Sequence, residues 1–381
     1  MIDRYSTPEI SFIWSKEYYL ELLEDFVIVF IEAKHRETPV LKGDISLERF
    51  EEIEKETKHE FASLLLHIEE RLQDDNHKSL INTGLTSSDA LDTVFSYQIK
   101  RSLDHILESL YDLFHAINLK SSESLLNVKC VGRTHGRHAQ VINFIDRFQV
   151  LHEEIFDLTL SFKIVHQNLF GKISGPTGNE PISKNVISFM QEYYDMPFNT
   201  KKTTQIISRY NYTDVIYYCS LLASVIEKFC LTIRLLSIDE VGELSEGFSK
   251  NQIGSSSMPH KINPISSENL TGISRLIRSN LTPALENIPL WLERDMSHSS
   301  VERVIFPDTL NLMHYMIKRF TNIISDLQIN VTKMQENIEN SASLNSAKEL
   351  TELSKTMPRS EAYRIVQRKY INENNSNMED S

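Results

Sequence analysis

The densest set of chemically capable side chains lies in Gly254-Ser255-Ser256-Ser257-Met258-Pro259-His260-Lys261-Ile262-Asn263-Pro264. Three hydroxyls, a lysine and an asparagine share this loop with two prolines, which fix φ and stop helix formation inside it. Gly254 and the serines leave the backbone free to move. Donors at that density suit an anionic group, or charge that develops during a reaction. A serine-rich surface linker is the plainer account of the same residues.

His135 stands among donors in Gly132-Arg133-Thr134-His135-Gly136-Arg137-His138. Its imidazole can give or take a proton near neutrality, although a surface histidine capping a helix looks the same in sequence. His135 and His138 have a metal-like spacing but no third ligand pattern, so no metal and no cofactor is expected. Glu268 follows the serine loop and could hold an imidazole as carboxylates do in triads. The dipole of a first helical turn would also favour a glutamate there. Arg294 and Arg303 flank Ser299 and Ser300, an arrangement that suits a phosphate. Ordinary ion pairs with Glu293, Asp295 and Glu302 are the competing account. Lys58-His59-Glu60 alone reads as a solvated helix face.

These residues need a scaffold, and hydrophobic spacing supplies one. Ile99, Leu103, Ile106, Leu110, Leu113 and Ile117 recur in steps of three and four. So do Phe144, Phe148, Leu151, Ile155, Leu158, Phe162, Val165 and Leu169, and so do Val215, Cys219, Leu222, Ile226, Phe229, Ile233 and Leu236. Such seams mark long helices packed nearly parallel. No proline interrupts 40–175 or 198–258, and no strand pattern of comparable length competes, so the expected fold is all-α. Phe156, Leu160, Tyr217, Tyr218 and Leu221 lie off the seams, which implies burial on a second face and several chains sharing one bundle. A large monomeric core is the alternative. Most of the glycines fall in four loops around Gly84, Gly132, Gly171 and Gly254. Thr86-Ser87 and Thr134-His135 are expected to open long helices, with N–H groups free to meet an anion. The expected domains are 1–83 helical, 84–334 long-helix bundle, and 335–381 a shortened helical domain with a disordered tail from 370.

Composition narrows the function. A net charge of −13 with dispersed acidic residues argues against a nucleic-acid binder. Three cysteines without a CxxC pair suggest a reducing compartment and no structural zinc. No signal-peptide pattern opens the chain, and the longest apolar run is too short for a bilayer. The expectation is a cytoplasmic protein without a membrane partner.

The Gly-Ser-Ser-x-Met-Pro-x-Lys-x-Asn-Pro loop resembles the signature of the fumarase/aspartase superfamily. Arg4-Tyr5-Ser6, Gly84-Leu85-Thr86-Ser87, Gly132-Arg133-Thr134-His135-Gly136, Gly171-Lys172-Ile173-Ser174-Gly175 and Glu293-Arg294-Asp295 resemble, in order, the site loops of its adenylosuccinate lyase branch. The resemblance implies a three-domain all-α lyase, a homotetramer with sites shared between subunits, and elimination of fumarate from a succinylated nucleotide. It implies Ser255 as base, His135 held by Glu268 as acid, and His59 and Gln205 near the scissile bond. Thr86, Ser87, Ser256, Lys261 and Asn263 would hold the succinyl carboxylates. Arg4, Tyr5, Arg294, Ser299 and Arg303 would hold the phosphate, and Lys58, Glu60 and Asn269 complete the substrate-contacting set. Three departures stand out. Asn82 replaces a histidine, and an amide cannot carry a proton. Ser208-Arg209-Tyr210 lacks the family's carboxylate, and the C-terminal helices are short. A sibling lyase with another succinylated or nucleotide substrate, or a non-catalytic paralogue, is the alternative.

Overall fold

The computed structural model describes residues 2–81, 84–121, 123–248, 254, 257, 258 and 260–379. Asn82, Ser255 and Ser256 lie outside the described residues.

The helices are α1 (Pro8–Ile13), α2 (Lys16–His35), α3 (Leu47–Thr57), α4 (Glu60–Arg71), α5 (Ser87–Lys120), α6 (Asp146–Asn168), α7 (Lys184–Tyr194), α8 (Tyr210–Leu236), α9 (Ile265–Ser279), α10 (Leu281–Glu286), α11 (Ser297–Asp326), α12 (Val331–Glu339), α13 (Ser346–Leu353) and α14 (Arg359–Glu379). Two short antiparallel pairs accompany them: β1 (Lys129–Thr134) with β2 (Arg137–Asn143), and β3 (Leu244–Ser245) with β4 (Gln328–Ile329). The three hydrophobic seams are buried along their whole length, which gives the all-α fold its core.

The chain groups into two compact units. One comprises Met1–Leu113, Ile155–Ile226 and Leu270–Arg319; the other comprises Phe114–Glu154, Glu227–Asn269 and Phe320–Ser381. In the first unit, α2, α4 and α7 bury Phe26, Phe30, Leu64, Ile68, Met190 and Tyr194 in one cluster. Phe95 of α5 meets Tyr212 of α8 and Phe306 of α11 edge-on, each at 5.0 Å. A buried Asp89–Lys172 ion pair ties the start of α5 to the loop at 171–175, and Asp89 also accepts from Ser174 N at 2.9 Å. In the second unit, Phe229 of α8 lies between Phe148 of α6 and Phe320 of α11. These ring contacts join segments that carry separate seams.

Several local expectations are corrected. Thr134-His135 does not open a helix. His135 (φ 53) and Gly136 (φ 73) form the tip of the β1–β2 hairpin, where two successive positive φ values match the twist of the strands. Lys58-His59-Glu60 is a helix junction rather than a helix face. Lys58 ends α3 in a left-handed conformation, and His59 Nδ1 accepts from Ala62 N to cap α4. Thr86 N–H is not free for an anion, because it donates at 2.9 Å to Asp89, whose carboxylate reaches back as the third helical side chain of a capping box does. Residues 370–379, expected to be disordered, continue α14. No glycine or proline follows Pro358, and Lys369 and Tyr370 hold Glu349 of α13.

Phe156, Leu160, Tyr217 and Leu221 remain exposed on one chain.

Candidate functional site

In the first unit a cavity of about 280 Å³ opens between α2, α5 and α11. Its polar wall comes from the turn at 291–297 and the first turns of α11. Asp295 builds that turn by accepting from Trp291 N at 2.8 Å and Ser297 N at 2.7 Å. The Ser297 hydroxyl, followed by these backbone donors, holds the Asp295 carboxyl down to about 2. Arg294 is thereby aimed at Gln205, to which it donates at 2.9 Å, and burial draws its guanidinium below the usual range. One turn into α11, Arg303 donates to Glu60 Oε2 at 2.7 Å. Glu60, Arg294, Ser299 and Arg303 all line the cavity. Four residues named from sequence thus meet, with Gln205 attached through Arg294.

Beneath them lies a buried ionic layer that sequence reasoning missed. Arg209 donates to Glu302 Oε1 at 2.7 Å and to both oxygens of Asp92 at 3.0 Å. His298 Nδ1 sits 2.9 Å from Glu302 Oε2. The available signal was periodicity: Ser88 and Asp92, like His298 and Glu302, are one turn apart and share a helix face.

Arg4 and Tyr5 occupy a short 3₁₀ turn, Asp3–Tyr5, held against α11. Thr7 N donates to Asn311 Oδ1 at 3.1 Å, Thr7 Oγ1 lies 2.8 Å from His314 Nδ1, and the Tyr5 ring meets Tyr315 edge-on. Arg4, Tyr5, Lys58, His59, Thr86 and Ser87 do not line the cavity.

The second unit carries the other named residues. Arg133 pairs with the buried Glu243 at 2.8 Å, and His138 Nδ1 lies 2.7 Å from Ser341 Oγ. These contacts fix the hairpin and leave His135 exposed at its tip. His260, Lys261, Asn263 and Glu268 line a wide depression of about 1280 Å³. Asn269 is half-buried on α9. Glu246, also missed from sequence, accepts from Ser266 N at 3.1 Å and Ser267 N at 2.6 Å. It thereby takes up the first N–H groups of α9. His135 and Glu268 make no hydrogen bond with each other within the chain.

Among the described residues, no group of three or more His, Cys, Asp or Glu is placed to hold a metal. No described helix is long and apolar enough to cross a membrane.

Comparison with known proteins adds an independent line. A family model described as lyase matches residues 45–278. Adenylosuccinate lyase of Bacillus subtilis is 37% identical over 384 residues, covering 97% of this chain and 88% of that protein. Adenylosuccinate lyase of Synechocystis sp. is 38% identical over 380 residues, covering 96% and 87%. Among solved structures, a fumarate lyase from Mesorhizobium sp. superposes with a TM-score of 0.84 at 16% identity, covering 98% of this chain and 89% of its own. At that identity the likeness concerns the fold.

Proposed function

The chain belongs to the adenylosuccinate lyase family of the fumarase/aspartase superfamily, and from that membership we propose that it cleaves adenylosuccinate to AMP and fumarate. The succinylated carboxamide ribotide of purine synthesis is the expected second substrate. In the reaction the Cβ–H and C–N bonds of the succinyl group break. The Cβ proton passes to a base, the electron pair forms the fumarate double bond, and the departing nitrogen receives a proton. Charge builds on a succinyl carboxylate as the proton leaves, so preorganised donors around it lower the barrier.

One observation carries the reading: Glu60 and the Arg294–Arg303 stretch, far apart in sequence, line one cavity, and Gln205, from a third segment, accepts from Arg294 in its wall. Two guanidiniums beside the Ser299 hydroxyl suit the nucleotide phosphate, with Arg4 and Tyr5 in support. His135, exposed on a rigid hairpin, would protonate the nitrogen, and Lys261 and Asn263 would hold the carboxylates. Ser255 as base and Ser256 as carboxylate ligand rest on the family resemblance. His59 keeps Nε2 for substrate because its Nδ1 caps α4.

The reading includes a homotetramer with sites shared between chains, as the family resemblance implies. Support comes from Phe156, Leu160 and Ile164, exposed at four-residue spacing on α6, and from Tyr217 and Leu221 on α8. A helical stripe of that kind is ordinarily covered. A cytoplasmic setting, a small-molecule substrate and no nucleic-acid partner complete the proposal. Pure protein should release fumarate from adenylosuccinate as the succinylated purine disappears. No turnover of either substrate would refute the assignment, and a fully active monomer would refute the shared site.

A further inference from the structure

We propose that His298 determines specificity in this cavity, its Nε2 accepting a hydrogen bond from a sugar hydroxyl of the bound nucleotide. The inference rests on the reading of the cavity as a nucleotide site. His298 is 3% exposed, and Ser88, on α5, is 1% exposed. Both line the cavity. His298 Nε2 and Ser88 Oγ are buried atoms with no hydrogen-bond partner, and so is Nε of Arg294 in the same wall. Buried polar atoms are almost always paired, so a cluster of orphans in one cavity marks places where a ligand supplies the partner.

The donor and acceptor roles follow from the layer beneath. Glu302 accepts two N–H groups of Arg209, at 2.7 and 3.1 Å. A carboxylate held that way only accepts, so the short contact to His298 requires the proton on Nδ1. With that proton on Nδ1, the tautomer that the proposal takes presents a lone pair at Nε2. A phosphate oxygen has no proton to give it, and Arg294 and Arg303 already supply donors for phosphate. A hydroxyl can donate to Nε2 while accepting from Ser88 Oγ–H. With the phosphate at Arg294, Ser299 and Arg303, the sugar is the next group along the nucleotide, and His298 is the chain neighbour of Ser299.

The test compares AMP, 2′-deoxy-AMP, 3′-deoxy-AMP and inorganic phosphate on the wild type, His298→Ala and His298→Gln, by titration calorimetry. His298→Ala should weaken AMP about tenfold, the scale of one buried hydrogen bond, and leave inorganic phosphate unchanged. One deoxy nucleotide should bind the wild type about tenfold more weakly than AMP and lose nothing further in His298→Ala. His298→Gln, which keeps an acceptor, should recover part of the loss. Equal losses for AMP and both deoxy nucleotides would overturn the proposal. So would a loss of affinity for inorganic phosphate, which would make the ring a cation rather than an acceptor. If His298→Ala does not fold, the Gln variant decides: the same coupling to one hydroxyl supports the proposal, and its absence overturns it. Wild-type protein that binds neither AMP nor phosphate would instead refute the nucleotide reading beneath it.

Discussion

Replacing Arg209 with methionine should destabilise the first unit strongly, in a way that depends on pH. The guanidinium donates to Glu302 at 2.7 and 3.1 Å, to Asp92 twice at 3.0 Å and to the Ile207 carbonyl at 2.8 Å. All three charged side chains are buried. Methionine fills similar volume but leaves Asp92 with only the Ile207 N–H, and Glu302 with only His298. Removing one partner from a buried ionic network costs about 3–5 kcal/mol. In the variant, both carboxyls have folded pKa values above their ordinary range of roughly 4, since burial opposes the charged form. The loss is therefore full at high pH and shrinks as falling pH protonates them. Urea unfolding followed by fluorescence is the assay, because Trp14 lines this cavity while Trp291 is exposed. The deficit should be largest near pH ~8 and smaller near pH ~5. Neutralising both acids as well, with Asp92→Asn and Glu302→Gln, should return most of it, since a buried ionic network exchanged for neutral groups is often close to neutral in stability. A loss below about 1 kcal/mol, or one of equal size at both pH values, would refute the assignment of Arg209 as the counter-charge.

Four other outcomes are expected. Asn311→Leu removes the acceptor for Thr7 N and Ser11 Oγ, at 3.1 and 3.2 Å, and so frees Arg4 and Tyr5. KM should rise about tenfold with a smaller change in kcat, and an unchanged KM in steady-state kinetics would count against the anchoring role. Burial lowers His314 to about 4, against the opposing charge of Glu9 and with help from Lys318 and His105. The unfolded chain then binds a proton the folded one refuses, so stability should fall as pH drops from about 6.5 to about 4. The loss should total about 2 kcal/mol after screening, and His314→Gln should flatten that slope in urea titrations. Gly178→Ala would set a Cβ 2.1 Å from the Thr203 carbonyl oxygen at φ +78. It should cost about 2–4 kcal/mol, read as a lower unfolding midpoint, whereas an unshifted midpoint would mean the loop yields freely. His135→Ala should slow fumarate release about 10²–10⁴-fold while AMP still binds the Arg294–Arg303 cavity with unchanged affinity; equal losses in both would assign His135 to binding.

The chain announces its long helices because a helix seam is a short-range pattern. Ile99 to Ile117 repeats every three or four residues, and burial of that stripe follows from helix geometry. The phosphate-type residues were legible for a related reason. Arg294, Ser299 and Arg303 lie close together in sequence, and one stretch at the start of α11 carries them. Local chemistry was misjudged where a turn decided it: Thr134-His135 looked like a helix start, yet two positive φ values at His135 and Gly136 close a hairpin instead. Thr86 likewise looked like a free anion binder until Asp89 took its N–H.

By itself the sequence determined the all-α scaffold, the helix seams and the inventory of hydroxyls, imidazoles and guanidiniums. Tertiary structure alone decided which of them meet. Arg209 finds Asp92 across 117 positions and Glu302 across 93, and Arg303 reaches Glu60 across 243. No local spacing encodes such pairs, because they are set by how separate helices pack. Packing is also what removes water from Arg209, Glu302 and His298, turning ordinary charged residues into a buried layer beneath a binding cavity.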